Sequence, residues 1–174
     1  MIHDVAIAIR RLQADGVIRT CMIVDTDVHQ GNGTAAIFAA DNSVFTLSIH
    51  QENNYPMPKQ HSDLDINLAD GTGDEKYLQS LAKGVGEAFG SFRPDLLFYV
   101  GGADPYRDDQ LGGLALTLGG LRKRDESVFS EARRRNVPVA VALAGGYARK
   151  VEDTVQIHVN TVLAAREIAD RRII

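Results

Sequence analysis

The chain has 174 residues, 44% apolar, 24% charged and 6% aromatic, the balance of one ordinary globular domain spanning 1–174 with enough chain to bury a core. Nineteen Lys and Arg against 23 Asp and Glu leave a net charge of −4, which gives no electrostatic footprint for nucleic acid as the main partner. The single cysteine, Cys21, excludes an internal disulfide, and with no signal-peptide layout and no apolar run near the roughly 18 residues of a membrane span the expectation is a cytoplasmic protein without a membrane partner.

In chain order, residues 2 to 14 place Ile2, Val5, Ala6, Ile9 and Leu12 on one helical face, with Gly16 as the stop. The apolar run Cys21-Met22-Ile23-Val24 ends at Asp25 and predicts a strand buried on both faces, where Cys21 behaves as a small hydrophobe. A helical stretch at 33–40 leads to a second run, Val44 to Ile49. Residues 50 to 73 then read as a long polar connection with Asn53, Asn54, Pro56, Pro58 and Gly71, and a loop of that length in a compact domain is usually functional. Helix 74–90 precedes the run Asp95 to Val100, and helix 117–135 is capped by Thr117 and stopped by Asn136 before Pro138. Its basic triplets, Arg122-Lys123-Arg124 and Arg133-Arg134-Arg135, read as a solvated face. Val137 to Leu143 form the last run, and a helix over 151–169 presents Val151, Val155, Val159, Val162 and Leu163 as its apolar face. Four apolar runs alternating with helices predict an α/β fold of three layers, αβα, around a mainly parallel sheet with right-handed crossovers.

In open parallel sheets ligands bind beyond the carboxyl ends of the strands. After the first strand come Asp25, Asp27, His29 and Gly31-Asn32-Gly33; after the second, His50; after the third, Gly101-Gly102 and Asp104; after the fourth, Gly145-Gly146-Tyr147. Asp27 and His29, two apart, face one point in extended chain, and Asp104 can join them from the neighbouring strand end. Two carboxylates and an imidazole suit a divalent ion with one position open, as in catalytic zinc sites, and iron, manganese or cobalt are also compatible. Beside this stands a plainer reading, in which Asp25 and Asp27 only end a strand and cap the helix opening near Thr34. Tyr147 after two glycines can present a phenol to a developing oxyanion, or can be a packed aromatic at a turn. His3, His61 and His158 read as structural.

The segment Val24-Asp25-Thr26-Asp27-Val28-His29-Gln30-Gly31-Asn32-Gly33-Thr34 closely resembles the histone deacetylase superfamily, which includes acetoin utilisation proteins and acetylpolyamine amidohydrolases. The resemblance continues in family order through Asp4-Val5-Ala6-Ile7-Ala8, Ser48-Ile49-His50, Asn54-Tyr55-Pro56, Gly101-Gly102-Ala103-Asp104-Pro105, Asp109-Gln110-Leu111-Gly112-Gly113 and Leu143-Ala144-Gly145-Gly146-Tyr147. The form around His29 and the stretch Ser62-Asp63-Leu64-Asp65 look most like bacterial members related to class IV histone deacetylases. The resemblance implies an arginase/deacetylase-like fold and a zinc-type metal held by Asp27, His29 and Asp104, with Tyr147 as the catalytic phenol that polarises the amide carbonyl. It implies that Asp25 orients a catalytic histidine, that Asn32 takes the place of the companion orienting group, and that Tyr55, Gly145 and Gly146 line the acyl-lysine channel. It further implies a structural monovalent cation such as potassium near Asp25, Asp27, His29, Ser48 and Ile49. The substrate so implied is an acyl-lysine peptide or an acetylated small amine.

Superfamily members carry an adjacent histidine pair upstream of the Asp-x-Asp-x-His motif, and the five histidines here include no such pair. The expectation is the C-terminal portion of a longer deacetylase, truncated at its N-terminus. General-base catalysis contributes about 10²- to 10⁴-fold, so the chain alone should be weakly active or inactive, with His50 the only in-chain substitute. Missing sheet neighbours would expose an edge strand and favour self-association or a partner covering the absent N-terminal part. Two alternatives accompany this reading. One is a non-catalytic metal-binding or oligomerising module. The other is a haloacid dehalogenase-like phosphatase with Asp25 as nucleophile and magnesium held by Asp104, Asp108 and Asp109, which leaves His29 and Gly145-Gly146-Tyr147 without a role.

Overall fold

The one strand whose residues are all buried, over 21–25, takes the centre of the sheet. The computed structural model describes residues 3–171, in the order α1 (Asp4–Ala14), β1 (Cys21–Asp25), α2 (Asn32–Phe38), β2 (Val44–Gln51), β3 (Leu64–Leu68), α3 (Asp74–Ser91), β4 (Leu96–Gly101), α4 (Leu118–Arg134), β5 (Val139–Leu143) and α5 (Val151–Asp170). The sheet order is β3-β2-β1-β4-β5, and every pairing is parallel. All five residues of β1 are buried, including Cys21, as a strand covered on both faces requires.

Alternation along the strands divides the core between two layers. Met22, Val24, Leu47, Leu97 and Tyr99 pack on one side with Tyr77, Leu81, Val128, Phe129, Ile157 and Ala164 of α3, α4 and α5. Cys21, Ile23 and Val44 pack on the other with Val5, Ala6 and Ile9 of α1 and Phe38 of α2. The α1 face is therefore the one the periodicity predicts, although Ile2 lies outside the described residues. His3 caps α1, its Nδ1 accepting from Ala6 N at 3.2 Å, and its Nε2 lies 3.0 Å from Thr34 Oγ1. Gly16 takes a φ of 69° after α1, a conformation that only glycine adopts freely. No helix among the described residues is long and apolar enough to cross a membrane.

Three expectations need correction. The polar connection at 50–73 contains a strand, β3, which pairs with β2 from Leu47↔Leu64 to Gln51↔Leu68; only Leu68 of its residues is buried, so it has no continuous apolar run to announce it. On α5 the valines at 151, 155, 159 and 162 are 44 to 66% exposed, and the helix instead buries Ile157, Thr161, Ala164 and Ile168. Arg124, read as part of a solvated basic face, is fully buried with its neighbour Asp125.

Candidate metal centre

The parallel ladder sets the site by ending β1 and β4 side by side. Asp25 is in register with Ser48 of β2 and Val100 of β4, and Thr26 N donates to Val100 O at 3.0 Å. The two chains then run on together, one carrying Asp27 and His29, the other Asp104. They can do so because residue 102 is glycine: a Cβ there would lie 2.6 Å from Asp27 Cα and 2.8 Å from Asp104 Oδ1. Gly145, just past β5, is confined in the same way, since its Cβ would lie 2.7 Å from Asp104 Oδ2 and 3.1 Å from Asp27 Oδ2. Backbone amides fix the carboxylates, with Val28 N donating to Asp104 Oδ1 and His29 N to Asp27 Oδ1, each at 2.9 Å.

One donor atom from each of Asp27, His29 and Asp104 lies within 4.8 Å of the others. His29 Nδ1 is 2.9 Å from Asp27 Oδ1 and 3.3 Å from Asp104 Oδ2. This donor set fits a divalent cation: two carboxylate oxygens and an imidazole nitrogen converge, with a glycine rather than a side chain facing the carboxylates. The electrostatics agree. Hydrogen bonds to Asp104 and Asp27 push the His29 pKa up to about 10, so a proton stands in as the positive charge. Burial and the Asp27 charge raise the pKa of Asp104. Burial opposes ionisation of Asp27 too, but its bonds with His29 hold it below the usual carboxylate range.

The other residues singled out in the sequence surround this group. Tyr55 is 69% exposed, and its ring meets that of His29 edge-on with centroids 6.4 Å apart. Tyr147 is 62% exposed but its backbone is held: its N–H donates to Asp109 Oδ2 at 2.6 Å, and its carbonyl accepts from Gln110 N and Nε2 at 3.1 and 3.0 Å. Gly146 packs close to Ala103 and Thr154. Asn32 opens α2, half-buried. Asp25 is buried, accepts from Asp27 N at 3.0 Å, and is pushed up to about 8 by burial and the charge of Asp27; Gly31 faces its carboxylate so closely that a Cβ would collide. Ser48 accepts from Gly31 N at 3.3 Å, and Ile49 beside it is buried.

His50 does not join the group. It is fully buried on β2 with Nδ1 2.9 Å from Ser48 Oγ, and burial lowers its pKa, so it offers no solvent-accessible base. Asp109, which holds Tyr147, stood in the sequence only within a family-like motif and as a magnesium candidate; its structural role, accepting backbone amides from Leu111, Gly112 and Tyr147, leaves no local pattern. With Asp109 so engaged and Asp108 beside Arg107, the magnesium set of the phosphatase reading does not assemble among the described residues.

A sequence model of the histone deacetylase domain matches residues 1–162. An uncharacterized protein of Picosynechococcus sp. is 44% identical over 168 residues, covering 97% of this chain and 56% of its own length. Histone deacetylase 2 of Arabidopsis thaliana is 34% identical over 146 residues, covering 80% of this chain and 38% of its own. The fold is similar to that of an acetylpolyamine aminohydrolase from Burkholderia pseudomallei, with a TM-score of 0.80 at 24% identity over 96% of this chain and 50% of that one. The chain thus spans about half the length of the proteins it matches.

Proposed function

The chain belongs to the histone deacetylase domain family, and from that premise we propose that it carries the metal-holding part of an amidohydrolase site acting on an acetylated amine, either an acyl-lysine peptide or an acetylated small amine. The observation that carries this reading is the convergence of Asp27, His29 and Asp104 within 4.8 Å. These three residues would hold the metal, with zinc the first choice and iron, manganese or cobalt compatible with the same donors. When bound, such a metal polarises a carbonyl oxygen and acidifies water.

The chain's own residues supply the rest. Tyr147, exposed on a backbone fixed by Asp109 and Gln110, donates its phenol proton as a hydrogen bond to the carbonyl oxygen as negative charge grows there. Tyr55, edge-on to His29, offers an apolar wall for the acyl chain, and Gly145 leaves room beside the carboxylates. Asp25 would accept a hydrogen bond from a histidine base, with Asn32 in the companion position. Asp25, Ser48 and the carbonyls of Asp27, His29 and Ile49 would hold a monovalent cation such as potassium, which the buried Asp25 carboxylate favours. No pair of adjacent histidines stands in the sequence and His50 is enclosed, so hydrolysis by the chain alone should be weak or absent.

A second reading, a non-catalytic module that works by assembly, is favoured by uncovered surface among the described residues: β5 ends the sheet with a partner on one side only, and α5 carries a stripe of exposed valines. Elemental analysis of the purified chain tests the metal-site proposal. One divalent metal per chain, lost in Asp27→Ala, supports it; no metal, or metal retained in Asp27→Ala, overturns it.

A further inference from the structure

Arg124 and Asp125 lie on α4, away from the ligand-bearing segments in sequence, and both are fully buried. Arg124 Nε donates to Asp125 Oδ1 at 2.9 Å, and Nη1 donates to the carbonyl of Gly102 at 2.6 Å and approaches that of Thr26 at 3.5 Å. Tyr99 Oη donates to Asp125 Oδ1, and Thr161 Oγ1 donates to Asp125 Oδ2 at 2.6 Å. Thr26 Oγ1 lies 3.1 Å from Tyr99 Oη. Residues from α4, α5, β4 and both strand exits therefore meet at one buried hub.

The two carbonyls that the guanidinium faces are the informative ones. Thr26 immediately precedes Asp27, and Gly102 stands two residues before Asp104. These are the segments that pass within a missing Cβ of one another at Gly102, while the carboxylates they carry repel. A buried ion pair contributes little net stability over apolar residues of the same volume. Its geometry here does something an apolar pair cannot, because a planar guanidinium reaches a carboxylate and the backbone of two separate segments at once.

We propose that Arg124 is a positioning residue of the metal centre: anchored by Asp125, it fixes the segment carrying Asp27 and His29 against the segment carrying Asp104. The proposal rests on the reading of those three residues as metal ligands. Groups that orient ligands without touching the metal typically change affinity by about 10- to 100-fold, which sets the expected size of the effect. Lysine would keep the charge but not the span between Asp125 and the carbonyls.

The test is a cobalt(II) titration of the full chain, followed by ligand-field absorption, together with backbone hydrogen exchange of the metal-free protein. Arg124→Lys is compared with a double variant, Arg124→Met with Asp125→Leu, which removes the pair without leaving a lone buried charge. Val128→Ala, one turn further along α4 and facing the core, is the control for general loosening. We expect both Arg124 variants to bind cobalt(II) about 10- to 100-fold more weakly, with an altered absorption band and faster exchange in residues 25–29 and 101–104. Val128→Ala should unfold at lower temperature yet keep wild-type affinity and exchange in those segments. Wild-type affinity and exchange in Arg124→Lys, or an equal loss in Val128→Ala, would overturn the proposal. If the wild-type chain takes up no cobalt(II), the metal reading fails, and the exchange comparison alone decides whether Arg124 holds the two segments.

Discussion

His29 carries the positive charge of the candidate metal centre. Its two carboxylate neighbours raise its pKa to about 10, so the protonated ring favours the folded state. That contribution is complete below about 6.5, the ordinary histidine value, and is lost as pH rises toward about 10. Burial acts in the same direction at Asp25, whose protonated form is favoured and whose contribution is lost between the ordinary value of 3.8 and about 8. Metal-free protein should therefore become less stable from about pH 6 to about pH 9, and saturating zinc should flatten the slope; urea midpoints across that range check both. Residues of this kind were legible in the sequence as candidates because each lies within four residues of a strand end. Arg124 was not, since its partners are a neighbour in the same charge run and carbonyls from 22 and 98 residues away, and no local pattern separates such an arginine from a solvated one.

At the scale of elements, α4 begins where it does because Thr117 caps it. Thr117 Oγ1 accepts from Gly120 N at 2.9 Å and donates to Asp74 Oδ2 at 2.7 Å, so one side chain joins the starts of α3 and α4. Thr117→Ala should cost about 1 to 2 kcal/mol, read as a lower denaturant midpoint with unchanged slope. Elements with strong periodicity or a continuous apolar run declared themselves: β1, β2, β4, β5, α1, α3 and α4 stand close to their predicted places. β3 stayed hidden because an edge strand with one buried residue resembles a polar loop. Helix α5 was found, but its face was misassigned. Valines at 151, 155, 159 and 162 make the more hydrophobic stripe, while packing on α4 uses smaller and mixed residues, Ile157, Thr161 and Ala164. Hydrophobicity alone indicates which stripe seeks cover, not whether it is covered within the same chain.

Among the described residues the sheet ends at β5 with a free parallel edge, and α5 carries a stripe of exposed valines. Such surfaces promote association. Light scattering should show self-association of the purified chain, and Val155→Asp with Val159→Asp should return it to the monomer with an unchanged circular dichroism spectrum. A wild-type chain that stays monomeric would count against assembly through this face. The parallel sheet and its candidate ligand-binding edge could be read from strand-helix alternation, the family from ordered motifs, and an exposed edge strand from the missing sheet neighbours; the exposure of the α5 valines required coordinates. At the centre of the molecule β1 and β4 end together and bring Asp27, His29 and Asp104 within 4.8 Å of one another. Anomalous diffraction at the zinc absorption edge, from crystals of the zinc-loaded chain, tests this most directly. One strong peak within bonding distance of all three side chains is the predicted result, and a peak elsewhere, or none, would contradict it.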